Sequence, residues 1–478
     1  MNDTAIVWFR QDLRLADNPA LNTALEQHAR IIPLYIHAPH EQAAWGPGAA
    51  SGWWLHHSLD ALDQSLQQRG SRLIVRTADT CLDALQELIA DSDATHVYWN
   101  RMYEPHAIER DGQITTVLQK SGIEVGTCNA SLLFEPEAVT KQDGTPYRVF
   151  TPFWKACLRQ EMPFTCTDSP SSLPGVSGHI TTATVESLAL LPAIRWDTGL
   201  AAAWQPGESA AEACLDAFLD DAVTGYPTGR DRPDRQLTSR LSPHLHFGEI
   251  SPHRVVSRSR QFAAAQSLPG LVTGTDAFIR EVGWREFAGH LLYHFPHTTD
   301  KPLYERFEQF PWRTEYSGDL EAWQRGQTGI PVVDAGMREL WHTGWMHNRV
   351  RMIVASLLTK NLLIPWQEGA RWFWDTLVDA DLASNTLGWQ WTAGCGADAA
   401  PYFRIFNPVT QANKFDPQGH YIRRWVPELA DLPDKYLASP WTAPDDVLAT
   451  ADVHLGYNYP APLVDLKASR AAALERYQ

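Results

Sequence analysis

A segment rich in arginine, hydroxyl residues and glycine lies between Gly225 and His244. It reads G-Y-P-T-G-R-D and, after a short interval, T-S-R-L-S-P-H. Backbone N–H groups and hydroxyls next to a guanidinium can bind a pyrophosphate without a P-loop. The alternative is a solvated loop in which aspartates neutralise the arginines, and these residues alone leave both interpretations open. The charged residues are Arg230, Arg232, Arg235 and Arg240, with Asp231 and Asp234.

Glu281, Trp284 and Arg285 follow the spacing i, i+3 and i+4 in the segment E-V-G-W-R-E. On a helix this spacing places the three side chains on one face. A carboxylate, an indole and a guanidinium together suit a flat heterocycle with carbonyl and N–H groups. An amphipathic face with an incidental ion pair would have the same spacing, so the segment alone does not predict a ligand.

Two further segments carry charged and amide side chains that could converge on one ligand. The first, G-W-M-H-N-R-V-R-M, predicts a helix on which Arg351 points away from its neighbours and could meet a carboxylate. The second, D-A-D-L-A-S-N, supplies the carboxylates of Asp379 and Asp381 and the amide of Asn385. The motifs G-W-Q-W and P-Y-F-R-I-F-N-P follow at 388–391 and 401–408. The residues predicted to share one side of the first helix are Trp345, Asn348, Arg349 and Met352.

The tryptophans are concentrated in the same half of the chain. Of the 20 tryptophans, 12 lie between Trp284 and Trp441. Most of them can be core residues, but a buried indole needs a partner for its N–H group, and indoles also stack on flat rings. Four charged segments among so many indoles predict a ligand site rather than ordinary packing.

The N-terminal part alternates short apolar runs with helical patterns, which predicts a parallel sheet covered by helices on both faces. The predicted strands are 5–9, 31–36, 72–75, 96–99 and 123–125, and the helical patterns include 53–68 and 81–90. No G-x-G-x-x-G motif follows the first strand. We therefore expect no dinucleotide bound there in the usual Rossmann manner.

The periodic pattern is lost after the fifth strand and returns as helix alone. The stretch 168–178 is rich in serine, proline and glycine, which is typical of a loop. Beyond Gly207, helical patterns continue almost to the end, including 208–221, 276–293, 333–343, 347–359 and 370–377. The predicted organisation is an α/β domain at 1–130, a surface linker at 131–205 and an all-helical domain at 206–470.

Composition limits the class of protein. The formal net charge of −16 argues against nucleic-acid binding unless a local basic patch is present. The six cysteines include no C-x-x-C pair, which disfavours a zinc site, an iron–sulfur cluster and a disulfide framework. No signal peptide or membrane-spanning stretch is recognisable. We expect a cytoplasmic monomer with no metal.

Taken together, the motifs resemble those of the photolyase/cryptochrome family. They are Y-x-x-x-R-D, T-S-R-L-S, W-R-E-F, W-M-H-N-R-x-R-M, D-x-D-x-A-x-N, G-W-Q-W and R-I-F-N-P, and the likeness runs from Val7 to Pro462. The resemblance implies an α/β domain followed by a larger helical domain that binds FAD. It is closest to the class I photolyases that repair cyclobutane pyrimidine dimers in DNA.

The resemblance also implies the cofactor site. Asp379 would pair with Arg351 beside the isoalloxazine, and Asp381 would hold the cofactor from the other side. Asn385 would lie against flavin N5, where an amide supplies no proton and favours the anionic reduced form that repair requires. The remaining cofactor contacts carried over are Tyr226, Thr238, Ser239, Arg240, Leu241, Ser242, Phe278, Arg285 and Asn348.

The lesion would be flipped out of the duplex into a cavity, as enzymes that act on bases generally require. Trp284 and Trp391 would be its stacking walls, and Glu281 would hydrogen-bond the pyrimidine edge and stabilise the radical anion. The other matching DNA or lesion contacts are Arg230, Asn348, Arg349, Met352 and Gln411. Relatives that act on (6–4) photoproducts have histidines at the positions of Asn348 and Met352. Plant cryptochromes have aspartate at position 385, so a (6–4) photolyase and a cryptochrome-type photoreceptor are the alternatives to dimer repair.

The implied mechanism is electron injection from excited reduced FAD, with return of the electron after ring opening. Trp389, Trp366 and Trp312 match the chain that photoreduces oxidised flavin, although Trp312 aligns only with a one-residue insertion before Trp323. A second, antenna chromophore is expected in the first domain. The segment 104–111 lacks the Asn-Glu pair that binds folate in the enterobacterial type, which disfavours folate relative to a deazaflavin, FMN or an empty site.

Overall fold

The computed structural model of the chain describes residues 4–160, 166–175, 180–399 and 404–477. The first part is a five-stranded parallel sheet with the order β3-β2-β1-β4-β5. Its elements are β1 (Thr4–Phe9), α1 (Pro19–Gln27), β2 (Arg30–His37), α2 (Ala49–Gln67), β3 (Ile74–Thr77), α3 (Cys81–Ser92), β4 (His96–Asn100), α4 (Pro105–Lys120) and β5 (Glu124–Cys128). The predicted α/β class and five strands are confirmed.

The alternation of β1 explains why the sheet has helices on both faces. Side chains that are two apart in a strand point to the same side. Ala5, Val7 and Phe9 pack in one core with α1 and α2. Ile6 and Trp8 pack in a second core with α3 and α4. All five side chains are almost fully buried, as expected for a parallel sheet.

The segment between the two domains differs from the predicted surface linker. It contains α5 (Phe150–Cys157) and α6 (Thr198–Ala203). Phe150, Phe153, Trp154 and Cys157 of α5 are buried in the core of the helical part. A short helix that places four apolar side chains in a neighbouring core gives too brief a pattern for recognition from sequence.

The rest of the described chain is helical, which confirms the predicted second domain. Its helices are α7 (Glu208–Asp221), α8 (Tyr226–Gly229), α9 (Ser242–His246), α10 (Pro252–Ala265), α11 (Leu271–His294), α12 (Ser317–Gln324), α13 (Pro331–Thr343), α14 (Asn348–Ser356), α15 (Trp366–Thr376), α16 (Leu382–Ala393), α17 (Pro408–Phe415), α18 (His420–Trp425), α19 (Asp434–Leu437), α20 (Asp445–Thr450) and α21 (Leu466–Tyr477). A π-helix, Leu357–Asn361, continues α14. Residues 401–403 of the predicted 401–408 motif lie outside the described residues.

None of the helices in the described ranges is both long enough and apolar enough to cross a membrane.

Buried polar contacts join the two domains at the carboxyl end of β1. The guanidinium of Arg14, which is 1% exposed, donates to the carbonyl oxygens of Ala130 at 3.0 Å and Gly248 at 2.9 Å. The backbone N–H of Leu13 donates to the carbonyl of Phe247 at 3.1 Å. Because Phe247 and Gly248 belong to the turn after α9, the turn is held directly against the sheet domain.

Gly248 makes this junction possible. Its φ is +65°, and a Cβ atom at this position would lie 2.1 Å from the carbonyl oxygen of Gln11. Only glycine combines this left-handed backbone with so close an approach.

We expect Gly248→Ala to lower the free energy of unfolding by at least about 1 kcal/mol, because the left-handed backbone alone costs an alanine that much. Urea unfolding followed by near-ultraviolet circular dichroism measures the change. Gly112→Ala is the matched control, because Gly112 lies within α4 and a Cβ atom there would meet no described atom within 4 Å. Alanine at position 112 should be neutral or stabilising. Equal effects of the two substitutions would contradict the role of Gly248 at the domain junction.

Candidate functional site

An ion pair between a half-buried arginine and a buried aspartate lies in the helical domain. Nη2 of Arg351 on α14 donates to both carboxylate oxygens of Asp379, at 3.0 Å and 2.9 Å. Its Nε donates to the carbonyl of Met346 at 2.7 Å. Asp379 is only 8% exposed, so the pair is screened weakly by water. The prediction that Arg351 meets a carboxylate is confirmed.

The ion pair stands directly before α16, which begins with a side-chain cap. Oδ1 of Asp381 accepts a hydrogen bond from the N–H of Ser384 at 2.7 Å. Burial acts to raise the pKa of Asp381, but His246 and the guanidinium of Arg285 outweigh it and hold that pKa well below its usual range. Asp381 is therefore an anion that keeps the first turn of α16 in place.

Asn385 lies one turn further along α16. Its Nδ2 donates to the carbonyl of Ala370 on α15 at 3.0 Å. This bond fixes the orientation of the amide, so that Oδ1 is available as an acceptor.

Two more ion pairs lie around His347. Arg230 pairs with Glu281 of α11, and Nη2 of Arg349 donates to Asp231 at 2.7 Å. Burial lowers the pKa of His347 to about 4; Asp231 opposes this shift, whereas Arg349, Arg351 and Arg230 add to it. The structure thus brings the arginine-rich segment, α11 and α14 together, as the sequence predicted.

The residues on one face of α11 reach different partners. The indole of Trp284 stacks on Phe150 of α5, with ring centroids 3.9 Å apart and planes 9° apart. Arg285 donates to the backbone carbonyls of Ser131 and Leu245. Phe278 packs with Phe218 and Tyr226 in an aromatic cluster.

In the segment predicted to bind a pyrophosphate, several polar side chains already have partners within the protein. The Arg240 guanidinium lies over the rings of Trp204 and Trp345, 4.0 Å and 5.1 Å from their centroids. Arg232 pairs with Asp234 at 2.6 Å. The aspartates therefore do neutralise arginines, as the solvated-loop interpretation expected. The hydroxyl of Ser239 accepts from the N–H of Leu241 at 3.4 Å; Thr238 is half-buried and Ser242 is the exposed first residue of α9.

The prediction that Trp345 shares a helix face with Asn348, Arg349 and Met352 is wrong. Gly344 ends α13 with φ +67°, and α14 begins only at Asn348. The imidazole of His347 caps α14 by accepting from the N–H of Arg349 at 3.1 Å. Trp345 therefore lies in the connection between the helices, where it contacts Arg240.

The remaining predicted contact residues lie near these ion pairs or on α16 and α17. Asn348 is exposed, and Met352 is half-buried with its sulfur 3.7 Å from Nη1 of Arg349. Trp391 stacks on Phe406 with ring centroids 6.3 Å apart. Gln411, on α17, is half-buried.

Two of the three predicted electron-transfer indoles are buried in one core. Trp389 and Trp366 are each 2% exposed, and a Cβ on Gly369 would lie 2.0 Å from the ring of Trp389. Gly369 therefore lets α16 approach the turn of α15 that follows Trp366. Trp312 is half-buried, and its ring centroid lies 4.5 Å from that of Phe310.

Several side chains at the site were not singled out from sequence. Phe150 lay in the presumed linker, and Trp323, which is fully buried with its ring 6.2 Å from Trp389, was one of many indoles. Phe415, beneath the guanidinium of Arg349 at 4.5 Å, carried no signal, because the contact joins distant segments. His347 stood inside a quoted motif and His246 lies two residues after another, so their chemistry could have marked them.

Unpartnered buried polar atoms test whether a polar ligand fits here. Nδ1 of His246, Nε2 of His347, Nε of Arg349 and Oε1 of Gln411 have no hydrogen-bond partner among the described residues. Buried groups of this kind are costly to leave unpaired. His246 lies at the domain junction, where its Nδ1 is 4.0 Å from Asp381. His347 and Arg349 lie at the ion pairs, where a large ligand with both donors and acceptors, such as FAD, would satisfy them.

A cavity lies between the sheet and the helical domain. Its walls include Trp8, Trp45, Trp374, Glu104 and Arg110. Ala380 and Leu382 also line it, so it adjoins the start of α16. Nε1 of Trp8 has no hydrogen-bond partner in the part of the chain that is described.

Comparison with known proteins gives consistent matches over both domains. The model of the DNA photolyase family matches residues 5–173, and that of the FAD binding domain of DNA photolyase matches residues 278–478. The deoxyribodipyrimidine photo-lyase of Agrobacterium fabrum is 46% identical over 99% of this chain and 97% of its own length. Cryptochrome-1 of Arabidopsis thaliana is 39% identical over 98% of this chain and 69% of its own length.

Solved structures show the same fold over the whole chain. A bacterial class III photolyase from Agrobacterium tumefaciens superposes with a TM-score of 0.95 and 45% identity, covering 100% of this chain and 97% of that one. An archaeal photolyase from Sulfolobus tokodaii, described with two FAD molecules, superposes with a TM-score of 0.82 and 30% identity, covering 99% of each chain. The predicted assignment to class I is not confirmed, since a structure this similar is described as class III.

A buried carboxyl beside Arg285 makes the stability of this region depend on pH. Oε2 of Glu286 accepts from the N–H groups of Leu133 at 2.8 Å and Phe134 at 3.4 Å. Burial raises the pKa of Glu286 to about 7, although Arg285 opposes the shift. The folded state thus binds more protons than the unfolded state between about pH 4.5 and 7, and stability falls as pH rises through that window.

We expect Glu286→Gln to remove this contribution, which amounts to at most ~3 kcal/mol between pH 5 and 8. Urea unfolding at both pH values measures it, and the variant should lose less stability than the wild type on going to pH 8. Glu321→Gln, on the exposed side of α12, is the control and should behave like the wild type. The same loss in Glu286→Gln as in the wild type would contradict the protonated state of Glu286.

Proposed function

The chain belongs to the photolyase/cryptochrome family, and on that basis we propose that it repairs cyclobutane pyrimidine dimers in DNA under blue light. One observation carries the proposal: Arg351 and Arg230, each paired with a carboxylate, both act electrostatically on the same buried histidine, His347. The first pair suits a cofactor, and the second suits a lesion beside it. Relatives named deoxyribodipyrimidine photo-lyase support the reaction type.

FAD is the cofactor we infer, because a model of an FAD binding domain matches residues 278–478. When bound, FAD supplies the light-excited electron that opens the dimer and takes it back, with no net redox change. Arg351, Asp379 and Asp381 would hold and orient it. Asn385, whose amide is fixed by the carbonyl of Ala370, would offer an acceptor without a proton to give.

The phosphate contacts are proposed from the same resemblance. Thr238, Ser239, Leu241 and Ser242 would offer hydroxyl and backbone N–H donors. Arg240 and Arg285 would act mainly as supports, since Arg240 stacks on two indoles and Arg285 donates to two backbone carbonyls. Tyr226 and Phe278, which pack together, would form the apolar floor.

The lesion would enter beside Glu281 and displace its pairing with Arg230. A carboxylate that loses this partner can accept from the N–H edge of a pyrimidine, and the freed guanidinium can then bind a phosphate. Trp284, with one face covered by Phe150, would stack with its other face, opposite Trp391. Asn348, Met352, Arg349 and Gln411 would complete the contacts to the lesion and the DNA strand.

Trp389, Trp366 and Trp312 would carry electrons between the site and the surface. Trp389 and Trp366 are buried in one core, and Trp312 is partly exposed, as the outermost member requires. Trp323 lies edge-on to Trp389 and would provide a neighbouring aromatic contact.

A flat antenna chromophore would suit the cavity between the domains. The walls offer indoles for stacking, and the unpartnered Nε1 of Trp8 offers a donor for a carbonyl group. The second FAD described for the archaeal relative supports a flavin there. The Ala380–Leu382 wall would place such a chromophore next to the FAD site.

The alternative function is a cryptochrome-type photoreceptor, because Cryptochrome-1 of Arabidopsis thaliana is 39% identical to the chain. Blue light on purified protein mixed with dimer-containing single-stranded DNA distinguishes the two. Recovery of the thymine absorbance band in the light and not in the dark supports repair. If the protein carries photoreducible FAD and the absorbance does not recover, the photoreceptor is favoured. If repair occurs only with DNA that contains (6–4) photoproducts, a (6–4) photolyase is favoured.

We expect Glu281→Gln to lower the repair yield about tenfold, equivalent to ~1.4 kcal/mol, because an amide oxygen accepts a weaker hydrogen bond from the pyrimidine N–H edge than a carboxylate does and positions the lesion less well. The FAD content should be unchanged. Repair per absorbed photon is the measurement, and Glu321→Gln, at an exposed position of α12, is the matched control. A Glu281→Gln protein that repairs like the wild type would refute the assigned role.

We expect Gly369→Ala to slow light-driven reduction of the bound flavin by an external reductant, because the added methyl group displaces the indole of Trp389. Overpacking of this kind also costs about 1–3 kcal/mol of stability. Gly388→Ala, on the same helix as Trp389 but with open space around it, is the control. If Gly369→Ala loses the flavin, Trp389→Phe is the second variant. Photoreduction at the wild-type rate in Trp389→Phe would exclude Trp389 from the electron-transfer path to the flavin.

A further inference from the structure

Two histidines and an aspartate form a compact cluster on α2, away from the site described above. One ligand atom each of His56, His57 and Asp60 lies within 4.8 Å of the others. Among the described residues this is the only group of three such side chains that approach so closely. Asp60 follows His56 by four positions, the helical spacing at which two side chains can bind one ion.

His56 is buried without the hydrogen bonds that a buried imidazole needs. It is 6% exposed, and its Nδ1 has no partner among the described residues. Its Nε2 is 3.4 Å from Oδ2 of Asp60. A buried polar ring in this state costs free energy unless a further group binds it. His57 and Asp60 are half-buried, so the cluster remains open on one side.

The segment between the domains packs against α2, the helix that carries the cluster. Val185 and Leu188 of this segment share one hydrophobic core with Trp53, Leu55 and Leu59 of α2. A Cβ atom at Gly52, one turn before the cluster, would lie 3.4 Å from the carbonyl oxygen of Leu190. The cluster therefore lies on a helix that is held in place on both sides.

We propose that His56, His57 and Asp60 bind one divalent transition-metal ion, with Zn²⁺ as the first candidate. Imidazole and carboxylate ligands together suit Zn²⁺, Co²⁺, Ni²⁺ and Cu²⁺ better than Mg²⁺ or Ca²⁺. Zn–N and Zn–O bonds of about 2.0–2.2 Å bring ligand atoms roughly 3.4 Å apart. The ligand atoms, which lie within 4.8 Å of one another, must approach by up to about 1.4 Å, which rotation of the half-buried His57 and Asp60 side chains supplies.

The scattered cysteines predicted no metal, but this site uses none of them. It does not depend on the proposed function. A bound ion would join side chains from successive turns of α2. Since a ligand that binds only the folded state stabilises it, Zn²⁺ should raise the melting temperature.

The test uses the full-length protein, treated with a chelator and then dialysed against low-micromolar Zn²⁺. The wild type should retain one more equivalent of Zn²⁺ than His56→Gln. His57→Gln and Asp60→Asn should each weaken binding at least about tenfold. The rise in melting temperature with Zn²⁺ should be lost in the same variants. His454→Gln is the matched control, because exposed His454 also faces a carboxylate, Asp452 at 3.3 Å, without a third ligand among the described residues.

Equal Zn²⁺ retention and equal thermal shifts in the wild type and all three cluster variants would overturn the proposal. So would a loss of the equivalent in His454→Gln alone, since the ion would then bind elsewhere. If His56→Gln fails to fold, Asp60→Asn, which changes a half-buried side chain, decides between the outcomes.

Discussion

The ion pair of Arg351 and the buried Asp379 is the interaction on which the rest of the helical domain's site depends. Removing Arg351 would leave the Asp379 carboxylate with little access to water and no partner, which costs roughly 3–5 kcal/mol. The pair fixes the connection into α16 against α14. Everything on α16 follows from that position: the Asp381 cap, the amide of Asn385 and the indole of Trp389 against Gly369. The Arg351–Asp379 pair thereby helps to position the carboxylate of Asp381, the amide of Asn385 and the indole of Trp389.

The charge distribution reconciles an acidic protein with an anionic partner. The chain carries a net charge of −16, and Arg230 and Arg349 are each paired with a carboxylate. A partly exposed arginine that is paired with a carboxylate can exchange that carboxylate for a DNA phosphate. Binding to DNA would then depend on such specific contacts, because the net negative charge of the protein gives no long-range attraction. The domain junction is equally dependent on pairing, since the buried Arg14 gives its donors to backbone carbonyls from both domains. Ala380 and Leu382 line the cavity between the domains. They flank Asp381 of the proposed cofactor site, so the two sites adjoin.

Sequence reasoning succeeded where the pattern is local and periodic. The strands of the sheet, α7 at Glu208–Asp221 and the meeting of Arg351 with a carboxylate all follow from short-range spacing and charge. It failed where the partner comes from elsewhere in the chain. The stacking of Arg240 on Trp204 and Trp345 and of Trp284 on Phe150 depends on tertiary contacts that no spacing encodes. The predicted helix at 347–359 starts within one residue of α14, but Trp345 was wrongly placed on its face, because Gly344 ends α13 and His347, an uncommon N-cap residue, caps α14.

The most direct test of this account is the cofactor content of purified wild-type protein and of Asp379→Asn. The account predicts one FAD per wild-type chain and a large loss of FAD in Asp379→Asn, with the circular dichroism of the fold retained. Arg351→Met, which removes the other partner, should show the same loss. Wild-type protein that is colourless and cannot be reconstituted with FAD, or an Asp379→Asn protein that retains a full complement, would contradict the central claim.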